Sequence, residues 1–264
     1  MKRILVTNDD GVYSEGLRLL ARALGRMAEV VVVAPDREQS ATGHSLTLTR
    51  PLRLQKLEPN LFAVDGTPTD CVNLAVLWLL KERPVDLVVS GINFGLNVGD
   101  DVTYSGTVSA TFEGSLLGLP SIAFSQEVAE GMSFERSAAL AGRFVSGLLE
   151  EAVLPRGLLL NVNFPALDPQ GVLFTRLGKR VYRQSVIEKT DPRGHNYYWI
   201  AGTPEWQEDE GTDHEAVQKG FVSVTPLHLD LTDYRGLADH ADLVRRLAAI
   251  AAPPLDRAGD SSGG

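Results

Sequence analysis

Short unbroken apolar runs alternate along the chain with apolar residues at helical spacing, and the order of the two predicts most of the fold. Ile4, Leu5 and Val6 form a β-prone run that passes Thr7 and reaches Asn8-Asp9-Asp10-Gly11. Asn and Asp are poor strand formers and glycine permits a tight turn, so the strand is expected to stop there. Leu17, Leu20, Ala21, Leu24 and Ala28 follow at helical spacing, with Ser14 as the expected N-cap. Val30 to Ala34 is a second apolar run, closed by Pro35. Strand, helix and strand in succession make a βαβ unit, whose strands normally pair in parallel.

The same grammar repeats. Leu61 to Val64 reads as a strand, and Thr67, Pro68 and Asp70 make a strong helix start, with a helix expected to run to about Glu82 before Pro84. Cys71 falls on its buried side and reads as a small hydrophobe rather than a nucleophile. Val85 to Ser90 is the next strand, followed by a Gly- and Asn-rich loop from Gly91 to Asp101 whose backbone is expected to approach a ligand closely. Tyr104-Ser105-Gly106-Thr107 opens a helix towards Gly118, Ser121 to Phe124 is a strand, and Phe134, Ala138, Ala141, Val145 and Leu148 mark another helix. Leu158 to Asn163 closes this part. The expected fold is α/β, with a doubly wound, mostly parallel sheet over residues 1–165.

From Pro165 the texture changes. Residues 171–202 read as β-hairpins projecting from the core. Glu205 to Glu215 holds six carboxylates and no Lys or Arg; it is expected to be a solvated loop, with a second metal site as the alternative. Val222 to Val224 is a strand, and Leu243, Leu247 and Ile250 suggest a last helix. Residues 166–252 are thus expected to complete the core and mediate oligomerisation, and residues 253–264 to form a disordered tail.

Composition narrows the class. With 264 residues, 44% of them hydrophobic, the chain is long enough to bury a core without staples. Its net charge of −9 argues against binding a nucleic-acid duplex. An acidic protein can still take a small anion if a metal ion reverses the local field. One cysteine excludes an intrachain disulfide and a zinc–thiolate cluster. No apolar run approaches ~20 residues, so no membrane span is expected. Met1-Lys2-Arg3 leads straight into a strand without a signal-peptide pattern, and a cytoplasmic enzyme is the simplest class.

Ligands of open α/β sheets bind beyond the carboxyl ends of the strands. There the chain places Asp9 and Asp10, the polar loop Asp36 to His44 with Ser40, and Asn93 to Asn97. Adjacent carboxylates repel, and each is more stable protonated or beside a cation. If the three strands are neighbours, carboxylate, hydroxyl and amide oxygens converge in a set that suits Mg²⁺ or Mn²⁺ rather than zinc. Ser105-Gly106-Thr107 adds backbone N–H groups at a helix start and two hydroxyls, enough to hold a phosphate. Each feature alone has a plainer reading, a solvated turn for Asp9-Asp10 and a simple helix cap for Ser105. Their coincidence favours a site.

These motifs are familiar as a set. Asn8-Asp9-Asp10-Gly11, Ala34-Pro35-Asp36-Arg37-x-x-Ser40, Gly66-Thr67-Pro68-x-Asp70-Cys71, Ser90-Gly91-Ile92-Asn93-x-Gly95-x-Asn97-x-Gly99-Asp100-Asp101 and Tyr104-Ser105-Gly106-Thr107-Val108 resemble the SurE family of survival proteins. Asn161-Val162-Asn163-Phe164-Pro165, Asp191-Pro192-Arg193-Gly194, Gly211-Thr212-Asp213 and Val224-Thr225-Pro226-Leu227 follow in the same order, so the resemblance spans roughly residues 1–235. It implies a Rossmann-like core and a divalent-metal-dependent 5′-nucleotidase, a phosphoric monoester hydrolase. Nucleoside 5′- and 3′-monophosphates would be its substrates, with polyphosphate also trimmed by some members. It further implies one divalent ion per subunit, Mg²⁺ or Mn²⁺, held by Asp9, Asp10, Ser40 and Asn93. Phosphate contacts would fall at Asn97, Ser105, Gly106 and Thr107. The resemblance also implies a homodimer or homotetramer built by exchange of C-terminal segments.

The expected chemistry is hydrolysis by a metal-activated water, with Asp9 or Asp10 as the catalytic carboxylate that accepts its proton. His44 and His228 sit near the rim and are candidates to protonate the leaving group. A phosphatase working through an aspartyl phosphate needs its nucleophile where Asn8 stands, and an amide cannot serve. No G-x-G-x-x-G follows the first strand, which argues against a dinucleotide-binding dehydrogenase. The competing reading from another class is a non-catalytic nucleotide or metal sensor.

Overall fold

Apolar runs too short for helices and buried on both faces become the parallel strands of one sheet, and the amphipathic segments between them cover it. The computed structural model describes residues 1–246 except 152–153, 156, 183–185, 201–203, 208 and 244. In chain order the first half contains β1 (Arg3–Thr7), α1 (Glu15–Leu24), β2 (Glu29–Pro35), β3 (Leu54–Glu58), β4 (Leu61–Val64), α2 (Pro68–Leu74) and β5 (Leu87–Phe94). It continues with α3 (Gly106–Leu116), β6 (Ser121–Gln126), α4 (Phe134–Leu149) and β7 (Leu159–Phe164). The second half adds β8 (Val172–Phe174), β9 (Arg180–Tyr182), β10 (Val186–Thr190), β11 (Asn196–Ile200), β12 (Pro204–Trp206), α5 (Asp213–Gln218) and β13 (Val222–Pro226).

Among the described residues the main sheet has nine strands, in the order β3-β4-β2-β1-β5-β6-β7-β13-β8. Strands β4 to β7 of that order run parallel, whereas β3 and β13 are antiparallel to β4 and β7. From β1 the chain moves outward through β2 and β4, then returns to β5 and continues the other way. The order therefore reverses between β1 and β5, and a crevice opens beyond their carboxyl ends. Strands β10 and β11 form a separate hairpin, and β9 pairs with β12.

Alternation along β1 divides the core. Ile4 and Val6 face α1 and α4, packing with Leu17, Leu20, Ala141 and Val145. Leu5 faces the other way, with Cys71, Val72, Ala75 and Ala110 from the α2–α3 side. Each such side chain contributes about 1.5–3 kcal/mol on burial. Cys71 is fully buried, and burial pushes its thiol well above the ordinary value, as expected of a packing residue.

Several boundaries differ from expectation. Helix α1 ends at Leu24, before Gly25, and α2 gives way after Leu74 to a π turn over Ala75–Leu79 instead of continuing to Glu82. The edge strand β3 is antiparallel and its pattern had predicted no element. Strand β5 runs to Phe94 rather than stopping at Ser90, so Asn93 sits on a strand end. Gly91, with φ +129°, permits this, because a Cβ there would lie 2.3 Å from the Phe124 carbonyl oxygen. The acidic stretch Glu205–Glu215 is not a plain solvated loop. Its start belongs to β12, Thr212 caps α5 by accepting from Glu215 N, and Asp213 is fully buried.

Residues Met1–His228 form one compact unit, in which β8 and β13 complete the main sheet. The chain from Leu229 belongs to a second unit, of which a short helix, α6 (Tyr234–Asp239), is described. The helix expected around Leu243, Leu247 and Ile250 lies largely outside the described residues, and the expected disordered tail, residues 253–264, lies wholly outside them. No helix among the described residues is long and apolar enough to cross a membrane.

Candidate active site

Where β1 ends, Asn8 turns the chain. Its side-chain amide donates to the Gly11 carbonyl at 3.2 Å and to Ser14 Oγ at 2.7 Å. The Ser14 hydroxyl is thereby drawn to Asn8 and makes no capping bond to the backbone of α1. The next residue, Asp9, is only 4% exposed. Its carbonyl accepts from Gln39 N at 2.8 Å, which brings the Ser40 loop to the end of β1.

Helix α3 starts against the Asp9 side chain. A Cβ on Gly106 would lie 2.7 Å from Asp9 Cβ, so glycine is what allows this approach. The Thr107 hydroxyl donates to Asp9 Oδ1 and also lies 3.3 Å from Asn93 Oδ1. One side chain of α3 thus touches the ends of both β1 and β5. Asn93 donates through Nδ2 to the Gly95 carbonyl at 2.8 Å, which orients its amide. Asp10 Oδ2 accepts weakly from Phe94 N at 3.4 Å.

Both carboxyls are held above their ordinary range. Burial raises that of Asp9, opposed in part by the Thr107 hydrogen bond. Burial, and then the Asp9 charge, push Asp10 up to about 6. Adjacent carboxylates that both resist ionisation favour a cation between them.

Asp9, Asp10, Ser40, Asn93, Asn97 and Ser105 line one cleft of about 960 Å³. The Ser40 hydroxyl is exposed and donates to Glu38 Oε1 at 2.7 Å. Asn97 is fastened from behind: its N–H donates to Asn163 Oδ1 at 2.9 Å, its carbonyl accepts from Asn161 Nδ2 at 2.7 Å, and its Nδ2 donates to Ser125 Oγ at 2.9 Å. Ser105 both lines the cleft and caps α3, accepting from Val108 N at 3.1 Å. The positive end of α3 therefore lies beside the two aspartates.

Not every predicted residue faces the cleft. Thr107, expected to contact phosphate, is fully buried with its hydroxyl turned to Asp9 and Asn93, and Gly106 stands behind Asp9. His44 pairs through Nε2 with Glu113 Oε2 at 2.8 Å, and Asn73 holds the other oxygen of that carboxylate at 2.7 Å. His228 is exposed, and neither histidine lines the cleft. Residues that the sequence reading did not single out do line it: Glu38, and an apolar wall of Phe94, Leu96, Tyr104 and Ile200. Among the described residues no three or more His, Cys, Asp or Glu side chains are placed to hold a metal ion by themselves, at Glu205–Glu215 or elsewhere. The donors at the aspartate pair are therefore carboxylate, hydroxyl and amide oxygens, a fit for a hard divalent ion.

Comparison with known proteins adds kinship to this geometry. The family described as survival protein SurE matches residues 4–184. The 5′-nucleotidase SurE of Geobacter metallireducens is 54% identical over 240 residues, covering 89% of this chain and 94% of its own length. That of Syntrophotalea carbinolica is 54% identical over 234 residues, covering 88% and 93%. The crystal structure of the SurE protein from Aquifex aeolicus, 47% identical, aligns with a TM-score of 0.82 over 92% of this chain and 99% of its own.

Proposed function

This chain belongs to the SurE family of survival proteins and is a 5′-nucleotidase, and from that premise we propose that it hydrolyses nucleoside 5′- and 3′-monophosphates with one divalent ion per subunit, Mg²⁺ or Mn²⁺. Asp9, Asp10, the Ser40 hydroxyl and the Asn93 amide oxygen would hold the ion. When bound, it supplies Lewis acidity, polarising a phosphoryl oxygen and making water more acidic. The observation that carries this reading is the Thr107 hydroxyl, in reach of both Asp9 and Asn93, because it puts the ends of β1 and β5 at one point.

The protein groups divide the remaining work. The Ser105 hydroxyl, at the positive end of α3 and on the cleft wall, donates to a phosphoryl oxygen. Asn97, fastened through its backbone and its Nδ2, gives the phosphate a fixed wall. Thr107 keeps Asp9 in one orientation. Asp10 is the better placed carboxylate to accept a proton from water, since Asp9 is buried and engaged with Thr107.

Phosphate release from adenosine monophosphate tests the proposal. Activity should require Mn²⁺ or Mg²⁺, stop with a chelator, and vanish in a folded Asp9→Ala variant. Full activity of Asp9→Ala with Mg²⁺ present would refute the assignment. Polyphosphate, which ends in the same phosphoryl group, is a second substrate class for the same assay. A homodimer or homotetramer is part of the proposal too, supported by Tyr198, Trp199 and Ile200 exposed on the β10–β11 hairpin; light scattering after size exclusion reads it directly. A cytoplasmic location is part of the proposal as well, read by cell fractionation.

A further inference from the structure

Asp213 has no part in the chemistry above, yet its carboxylate is fully buried and accepts three backbone N–H groups. Oδ2 accepts from Gly99 at 2.8 Å, while Oδ1 accepts from Gly178 at 2.8 Å and from His214 at 2.9 Å. Gly99 opens the 3₁₀ turn Gly99–Thr103, which lies between two cleft-lining residues, Asn97 and Ser105. It is tightly seated: φ is +56°, and a Cβ there would lie 2.7 Å from the Gly178 carbonyl oxygen and 3.0 Å from the Trp206 ring.

A second set of contacts runs from the same helix to the same turn. The His214 ring stacks on Trp206 with centroids 4.1 Å apart and an interplanar angle of 13°. The Arg180 guanidinium lies over the same indole at 5.7 Å and pairs with Asp101, a cleft-lining residue. Arg180 N also donates to Asp100 Oδ2 at 3.3 Å. The start of α5 is therefore bonded to the turn at Gly99, while Arg180 of β9, over the indole on which His214 stacks, holds Asp100 and Asp101.

We infer that Asp213 is a positioning residue for the nucleotide phosphate, holding the Gly99–Thr103 turn so that Asn97 and Ser105 meet the substrate across from Asp9 and Asp10. The inference rests on the proposed reading of the cleft as the phosphate site. A carboxylate is needed because three N–H donors converge from separate segments, and only an acceptor on both oxygens satisfies them all. Asparagine separates the bonds. Its single oxygen serves Gly178 and His214, and its NH₂ group then confronts the Gly99 N–H. Asp213→Asn thus cuts the tether to the turn and leaves the anchor of α5 in place.

The test compares wild type with Asp213→Asn in steady-state kinetics on adenosine monophosphate, thermal melting, and hydrogen exchange over residues 95–105. The expected result is a KM raised about tenfold, the size of one charge-assisted hydrogen bond, with kcat changed less than about threefold. Exchange over residues 95–105 should quicken in the variant. A lower melting temperature with unchanged KM and unchanged exchange in that segment would mark Asp213 as merely structural and overturn the inference. Wild type alone gives a second check that needs no folded variant. Its Gly99 amide should exchange as slowly as amides of the central strands, and exchange at the rate of an open loop overturns the inference. Should wild type release no phosphate, the reading of the cleft fails, while the exchange comparison still reports whether Asp213 holds the turn.

Discussion

Asp10→Asn is expected to stabilise the ion-free protein while removing its response to the ion. Burial and the neighbouring Asp9 charge lift the Asp10 carboxyl from its ordinary 3.8 to about 6. Below the lower value the group is protonated in folded and unfolded chains alike and costs nothing. Between the two values the folded chain retains a proton that the unfolded chain has released, so stability falls as pH rises. The penalty is complete above the folded value. At full strength that gap corresponds to about 3 kcal/mol, which solvent screening at this partly exposed side chain reduces to about 1–2 kcal/mol. Asparagine keeps the shape and can still accept from Phe94 N, without the charge. Its melting temperature in chelator near neutral pH should therefore exceed that of wild type by about 2–6 °C. The difference should close as pH falls towards 4. Excess Mn²⁺ should raise the wild-type melting temperature and leave Asp10→Asn nearly unmoved. Scanning calorimetry across this pH range reads every arm. An asparagine variant no more stable than wild type at neutral pH, or a difference that widens on acidification, would refute the reasoning.

Thr107→Val removes the hydroxyl that holds Asp9 and nothing of its volume; kcat/KM should fall about 10- to 100-fold, matching the ~1.5–3 kcal/mol of a hydrogen bond to a charged group, and steady-state kinetics measure it. Gly106→Ala drives a methyl into Asp9; misplacement of that carboxylate should cost on the order of 100-fold in activity, with about 1–3 kcal/mol of overpacking in thermal melts. His44→Ala should leave kcat within about twofold and lower stability by about 1 kcal/mol or less, because the ring pairs with Glu113 at a partly exposed position. A loss of two orders of magnitude in kcat would instead make His44 the acid that protonates the leaving group.

What could be read beforehand follows from how local each signal is. The parallel strands and their helices were legible because burial on both faces of a sheet writes unbroken apolar runs, and helices write their own spacing. Asp9, Asp10 and Asn93 were legible as rim residues because each follows such a run. Their closeness depends on β1 and β5 being neighbours, which the strand order supplies. The inward turn of Thr107 was not legible, since both hydroxyls of Ser105 and Thr107 suit a phosphate and only the packing of α3 on Asp9 separates them. Glu38 was hidden by a loop polar throughout. Asp213 was hidden by its company: six carboxylates in Glu205–Glu215 read as a solvated surface. What buries one of them is the convergence of N–H groups from Gly99 and Gly178, residues far away in the chain.

These two kinds of carboxylate show how the fold distributes its polar stress. Asp213 is buried and supplied with three backbone donors, which offset part of the burial that raises its carboxyl and let it fasten one segment to another. Asp9 and Asp10 are given less than burial demands: the Thr107 hydroxyl and nearby backbone N–H groups offset only part of it for the first, and the second has one long bond from Phe94. A chain with a net charge of −9 has no general attraction for phosphate esters. The deficit at the two aspartates makes a local exception possible, because a doubly charged ion drawn there satisfies them and offsets the repulsion that an anionic substrate would otherwise meet. More hydrogen bonds to Asp9 and Asp10 would therefore stabilise the ion-free protein and weaken its hold on the ion that the proposed reaction requires.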